Sequence, residues 1–421
     1  SYVFESADED EPNAAIFSKS DLTIYGNGTL TVNGNYNDGI ASKDGLILSG
    51  GTVLVNAVDD GIRGKDYLVV KDGNIAVTAQ GDGLKSDNEE DATKGFIYVE
   101  KGTLDVTSGG DAIQATTDVV VTDGEIRLTS GGGSNHAISA DASAKGIKGT
   151  ASVSLNGGTF IIDSADDALH SNGSLVINGG TFTLSSGDDG IHSESTLDIN
   201  AGDIQITQSY EGIESAVISI RDGNIHIVAS DDGVNAVSAN GGSGGNPGAG
   251  PGGGRPIPGD GQGQAPGQGQ DTAMDPGQAQ NAAGAPGQDA FAGGPGQGGF
   301  AGGGNNALYI YGGYMVIEAG GDGMDINGAI EMTGGVVIVN GPTESMNGAI
   351  DYNNGFNMTG GFLLAAGSSN MAQAPDESSS QYALLINFDS MLPAGTLVHI
   401  ENSEGEDIFT FSPSKQYQSI A

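Results

Sequence analysis

The 421-residue chain has no cysteine and no tryptophan. Without cysteine no disulfide can form, so stability must come from stacking, backbone hydrogen bonds or metal. Basic residues are scarce: 14 Lys and Arg against 54 Asp and Glu leave a net charge of −40. Such a surface repels phosphates, which argues against nucleic acid and anionic membrane as partners. The same charge permits cation binding and keeps a large extracellular protein soluble. No apolar run approaches the length of a membrane span, so no membrane insertion is expected. No helical spacing recurs among the apolar residues. The chain opens at Ser1 with neither Met nor a signal peptide, which reads as a mature or trimmed form. Absence of cysteine alone fixes no compartment, but an acidic, cysteine-free repeat protein fits a secreted product, extracellular or at the cell surface.

What the chain does have is repetition. Asp59-Asp60-Gly61-Ile62 and Asp188-Asp189-Gly190-Ile191 are the same four residues. Asp166-Asp167-Ala168-Leu169 and Asp231-Asp232-Gly233-Val234 are close copies, and looser ones carry Asp38, Asp82, Asp111, Glu211 and Asp322. Asp38, Asp60 and Asp82 stand 22 residues apart, as do Asp167, Asp189 and Glu211. A period of about 22 residues marks a solenoid. A second marker keeps the same step: Gly or Asp-Gly bends at Gly50-Gly51, Asp72-Gly73, Gly157-Gly158, Gly179-Gly180 and Gly334-Gly335. Between the markers apolar residues alternate, as in Leu175, Ile177, Phe182 and Leu184, which argues for strands. Three short strands and three bends make one turn of a parallel β-helix. About twelve turns at the roughly 4.8 Å strand spacing give an all-β rod about 55–60 Å long.

The organisation expected is an N-terminal arm over residues 1–20, β-helix over 21–238, a Gly/Pro/Gln-rich insertion over 239–306, β-helix again over 307–366, and a C-terminal cap of antiparallel strands over 367–421. The insertion has the composition of linker or disorder. Residues 87–94 and 140–150 read as insertions that lengthen single turns, and loops of that kind are candidate binding elements.

The paired carboxylates carry the sharpest chemistry. Stacking would bring equivalent acids about 4.8 Å apart, where two charges repel by about 1 kcal/mol in water and several times more at an effective dielectric near 20. Good turn chemistry explains one Asp before each Gly but not the doubled Asp. With lysines too few to neutralise the ladder, Ca²⁺ is the expected cofactor, being hard and tolerant of irregular oxygen geometry. The candidate ligands are Asp38, Asp59, Asp60, Asp82, Asp111, Asp166, Asp167, Asp188, Asp189, Glu211, Asp231, Asp232 and Asp322.

His170 and His192 fall one period apart in a column of mixed polarity that also takes Ala41, Arg63, Lys85, Gln114, Ser139, Glu214, Asn235, Asp325 and Asp351. That mixture predicts a solvated column. A Zn²⁺ site there would need a third ligand that the spacing does not place. Lys43, Arg63, Lys65 and Lys85 follow the acidic pairs, and ion pairing accounts for them better than the proton abstraction of a calcium-dependent lyase. No catalytic residue is assigned, because no phosphate loop, nucleophile elbow or Ser-His-Asp order is present. Tyr25, Tyr36, Tyr67, Tyr98 and Tyr210 could stack on sugars but do not share a column.

The Asp-Asp-Gly-Ile turns, the Asn-Gly-Gly-Thr-Phe bends at Asn156 and Asn178, and the Gly/Pro/Gln insertion together resemble the clostridial-type carbohydrate-binding β-helix family, itself similar in fold to family 9 polysaccharide lyases. The resemblance covers residues 21–421. It implies a right-handed parallel β-helix, bound calcium, and binding of acidic, pectin-like or cellulosic polysaccharide without established lyase activity. Two departures bear on it: more chain usually follows the Phe411–Lys415 region, and Asp111, Glu211 and the Asn135-His136 turn lack a full Asp pair. The function expected is a secreted calcium-binding β-helix that holds polysaccharide at the cell surface. The alternatives are a subunit of an extracellular filament, joined through coil ends or the N-terminal arm as a homo-oligomer, and a calcium-dependent polysaccharide lyase.

Overall fold

A computed structural model describes residues 13–139, 141–238 and 306–421. Every regular element among them is a strand. The strands form a parallel β-solenoid whose three ladders are each twelve strands deep, in line with the dozen turns expected.

Ladder I is built from short strands, beginning with Ala14–Ser18 on Asp38–Ser42 and continuing through Ile62–Gly64 and Leu84–Ser86. The first rung therefore lies inside the stretch read as an arm. Ladders II and III hold the alternating strands, such as Ser174–Ile177 and Thr181–Ser186. Their even positions turn inward. Ile40, Ile62, Leu84, Ile113 and Ile147 form one internal column, and Ile126, Phe160, Phe182 and Ile204 another, all essentially removed from solvent. The Phe160 and Phe182 rings stack at 4.6 Å between centroids. Each such side chain gains about 1.5–3 kcal/mol from burial, repeated at every rung.

The bend between ladders II and III shows why glycine recurs. Gly124, Gly158 and Gly180 all have φ between 104° and 136°. A Cβ at Gly158 or Gly180 would stand 2.9 Å from the carbonyl oxygen of the bend glycine one rung before. Only glycine suits both the backbone angle and that approach. Beside these bends Asn156, Asn178 and Asn200 form an amide ladder with 2.7 Å hydrogen bonds between rungs.

The turn expected at Asn135-His136 is not a rung. Ile147–Gly149 stacks between Ile113–Ala115 and Leu169–Ser171, so Lys148 takes the column place assigned to Ser139. The inserted loop is correspondingly 131–146 rather than 140–150. The Gly/Pro/Gln insertion, except residue 306, lies outside the described residues, as do the first twelve. Its two ends join Val234–Ala236 to Ala307–Ile310, and the rungs on either side stack directly, Val234 on Met324 and Val217 on Ala307.

The last rung, Phe356–Gly367, meets Tyr417–Ile420 in antiparallel fashion, and Ile386–Leu392 pairs with the same strand. A separate hairpin joins Val398–Glu401 to Asp407–Phe411. Leu364, Tyr417 and Ile420 bury themselves among Phe362, Phe388 and Phe409. These strands cover the open edge of the final turn, which would otherwise invite pairing with another chain.

Candidate functional site

The chemistry gathers on ladder I. In six turns the acid just before the Gly or Ala of the motif plays one repeated part. One oxygen of its carboxylate accepts the backbone N–H of the following rung: Asp60 Oδ1 from Asp82 (2.9 Å), Asp82 Oδ1 from Asp111 (2.9 Å), Asp111 Oδ1 from Lys145 (2.7 Å), Asp167 Oδ1 from Asp189 (3.0 Å) and Asp232 Oδ1 from Asp322 (2.6 Å). Asp322 does the same for Gly348. This relay gives the second acid a structural purpose that turn propensity alone does not supply, because it satisfies a backbone donor the ladder leaves over.

The other oxygen is left for a cation, and here the two halves of the ladder differ. Lys85 Nζ lies 3.1 Å from Asp60 Oδ2 and 2.8 Å from Asp82 Oδ2. Lys145 Nζ lies 2.9 Å from Asp166 Oδ1 and 2.6 Å from Asp167 Oδ2, and Lys148 Nζ lies 3.5 Å from Asp111 Oδ2. Lysines thus partner these carboxylates over much of the first half. Asp188 joins Asp166 and Asp167 with donor atoms within 4.8 Å, beside Lys145. Asp38 is bonded through Oδ2 to the Asn13 amide (3.3 Å), and Asp59 is exposed at the rim.

From Glu211 onward no lysine or arginine ion-pairs with the column among the described residues. Asp232, Asp322 and Asp325 bring carboxylate oxygens within 4.8 Å of one another. Burial, together with the neighbouring acids, pushes the carboxyl of Asp232 up to about 8, of Asp322 to about 6 and of Asp325 to about 7. Burial and a hydrogen bond shared with Glu214 push Glu211 to about 9. Asn235, which stacks on Asp325, is buried; its amide nitrogen bonds Glu211 (2.8 Å) and Glu214 (3.1 Å), while its buried Oδ1 has no partner among the described residues. Uncompensated carboxylates beside an orphaned amide oxygen are an all-oxygen donor set of the kind a hard cation takes. Asp231 flanks this set and Asp351 continues the column. Asp325, Asp351 and Glu214 were missing from the sequence-based ligand set, because they follow the apolar residue of each turn instead of preceding it.

The column itself changes sign along the ladder. In register it reads Ala41, Arg63, Lys85, Gln114, Lys148, His170, His192, Glu214, Asn235, Asp325, Asp351. The histidines at the crossover are not solvated as expected. His170 is 7% exposed and His192 partly buried. Each imidazole is drawn in by the acid three residues before it, His170 Nδ1 to Asp167 Oδ2 at 2.7 Å and His192 Nδ1 to Asp189 Oδ2 at 2.8 Å. Burial opposes charge on His192, but the Asp189 hydrogen bond and surrounding carboxylates outweigh it and raise the ring to about 9. Burial raises Asp189 to about 7 despite that bond.

Over the basic half lies an open groove of about 730 Å³. It is lined by Lys43, Arg63, Lys65, Lys85 and Lys148, five of the chain's 14 basic residues, and by five acids, Asp82, Asp87, Glu89, Glu90 and Asp111. Glu89 and Glu90 from loop 87–94 and Ser143 from loop 131–146 form its walls. Arg63 is held by Asp87, with Nη2 to Oδ2 at 2.6 Å. Of the tyrosines, Tyr25 stands out into solvent, while Tyr67 stacks on Phe96.

Fold and column together define a parallel β-solenoid with a charged groove along one ladder. Comparison with known proteins finds a partial match: residues 2–190, less than half of the chain, are similar to the family described as carbohydrate-binding domain-containing protein. A protein of Acetivibrio thermocellus described in the same words is 48% identical over 56 residues. That match takes in 13% of this chain and 20% of the relative's length. No solved structure matches. The stretch matched by the family model contains the whole groove.

Proposed function

We propose that the protein is a secreted, calcium-binding solenoid that holds an acidic, pectin-like polysaccharide in the ladder I groove at a cell surface. The observation that carries this reading is the gathering of five of the scarce basic side chains in one groove, where they match its five acids while the rest of the protein is strongly acidic. A neutral glucan has no need of Lys and Arg, whereas a uronate carboxylate pairs with a guanidinium such as Arg63. Glu89 and Glu90 on the wall suit a calcium ion shared with a second uronate. Asp232, Asp322 and Asp325, with Asn235 Oδ1, would hold a structural calcium elsewhere on the same ladder. Its chemistry there is charge neutralisation, and no reaction step depends on it.

The test is affinity electrophoresis in calcium through gels containing polygalacturonate, its methyl ester, or soluble cellulose derivatives. Retardation by polygalacturonate alone is expected, and it should weaken strongly in Arg63→Gln and Lys65→Gln. Equal retardation by the methyl ester, or none by polygalacturonate, would remove the acidic-glycan reading. Ultraviolet absorbance of the same mixtures should stay flat; a rise from an unsaturated product would identify a lyase instead.

A further inference from the structure

We propose that Glu89 and Glu90 make the groove selective for the charge pattern of its polysaccharide. One free carboxylate meets Lys65. Where no calcium covers the two glutamates, the neighbouring sugar must be uncharged, as in a partly methyl-esterified polyuronate. The inference rests on the acidic-glycan reading and names which polyuronate the groove takes.

The charges of the groove are not equivalent once they are paired. Arg63 is spent on Asp87 (2.6 Å), Lys85 on Asp82 (2.8 Å) and Lys148 on Asp111 (3.5 Å). Three of the five bases and three of the five acids therefore cancel in place. Lys65 differs: it is half-buried, and its ammonium meets no carboxylate among the described residues. The backbone N–H of Lys43 bonds Ser18 and that of Lys65 bonds Ser42, so the two lysines hold the same place on neighbouring rungs. Their like charges start one strand spacing apart, about 4.8 Å, and an anion seated beside them relieves the repulsion.

Glu89 and Glu90 are exposed on the wall, and their carboxylates form no ion pair among the described residues. The loop that carries them is tied to Lys65. The N–H of Asn88 donates to the Lys65 carbonyl (2.9 Å), and the buried Asn88 Oδ1 accepts the N–H of Glu90 (2.9 Å) and of Asp91 (3.0 Å). Asn88 Nδ2 donates to Asp66 (2.6 Å), which Lys94 also holds (2.8 Å). The two glutamates thus have a fixed backbone seat one rung from Lys65. A chain with a carboxylate on every sugar satisfies Lys65 but sets its next carboxylate against them. Like charges about 4 Å apart cost about fivefold in affinity even in water, and such a repulsive element is one way an interface rejects the wrong ligand. A methyl ester removes the charge and leaves the ring hydroxyls as donors to the glutamates. Calcium shared between the glutamates and a second uronate reverses the sign of that contact.

The experiment titrates the full chain calorimetrically with galacturonate hexamers, too short to gel, that are unesterified, half methyl-esterified or fully esterified. Each is measured in chelator and again in calcium. In chelator the half-esterified hexamer should bind about fivefold or more tighter than the unesterified one. Calcium should strengthen the unesterified hexamer most. Glu89→Gln combined with Glu90→Gln should bring the unesterified hexamer level with the half-esterified one in chelator and abolish its gain from calcium. Both side chains are exposed, so this variant keeps the fold. Lys65→Gln should weaken both hexamers. Equal affinity of the two in chelator, a preference unchanged in the double variant, or no effect of Lys65→Gln would overturn this proposal and leave the acidic-glycan reading in place. Tightest binding of the fully esterified hexamer, or no binding of any, would remove both.

Discussion

Asp167 shows how one carboxylate can serve three neighbours. Its Oδ1 takes the N–H of Asp189 on the next rung, and its Oδ2 takes both Lys145 and His170. Burial works against its charge, yet the His170 hydrogen bond and the Lys145 ammonium hold it well below the usual carboxylate range. Removing the amine breaks a buried ion pair and leaves Asp167 with only the His170 ring and a backbone N–H, and breaking a buried pair commonly costs about 3–5 kcal/mol, well above the roughly 0–1 kcal/mol of an exposed pair. Lys145→Ala should therefore lose stability on that scale in urea unfolding with chelator present. Calcium should restore part of it, because Asp166, Asp167 and Asp188 would then form an open oxygen set. A loss below about 1 kcal/mol would mean that solvent already screens the pair.

At the scale of the ladder, the carboxylates act together. Asp38, at about 7, is raised by burial and by Asp60; Asp189, Asp232, Asp322, Asp325 and Glu211 are raised likewise. A carboxyl whose folded pKa exceeds its ordinary 3.8 binds its proton more tightly in the folded chain. Its contribution is full below the unfolded value and is lost as pH climbs through the folded one. His192, raised from 6.5 to about 9, loses its contribution in the same direction. In chelator the melting temperature should fall steadily between pH 5 and pH 8, and calcium should flatten the curve. A chelated profile that is level or rising would contradict the burial of these acids. Much of this ladder was legible in the sequence, because Asp-Asp-Gly-Ile and the Gly-Gly bends mark one phase of every turn. The solenoid followed from those markers, and the columns of Ile and Leu from alternation. What spacing could not supply was register across an insertion: Asn135-His136-Ala137-Ile138 and Ala144-Lys145-Gly146-Ile147 both close on an isoleucine. Only stacking on Ile113 and Leu169 selects the second. With that rung misplaced, Lys145 and Lys148 could not be seen to enter the acidic column, nor the histidines to lie buried at its crossover.

Taken as a whole, the molecule divides its charge along one ladder, with its own cations inside the first half and uncompensated acids in the second. Lys85, Lys145, Lys148 and His192 neutralise the rungs from Asp60 to Asp189, and His170 adds a hydrogen bond to Asp167. The rungs carrying Glu211, Asp232, Asp322 and Asp325 have no such partner among the described residues, while their hydrophobic columns are as well buried as those of the first half. In a stacked array each rung contacts only its neighbours, so a local electrostatic cost is felt locally. Chelation should therefore loosen part of the rod and not all of it. Hydrogen exchange in calcium and in chelator measures this directly. Amides of residues 211–236 and 322–352 should lose protection when calcium is removed, and those of residues 62–171 should keep it. Uniform loss along the ladder would place the cation in the lysine-bearing half as well. No loss anywhere would mean that protonation alone, through carboxyls raised to about 6–9, relieves the second half at neutral pH.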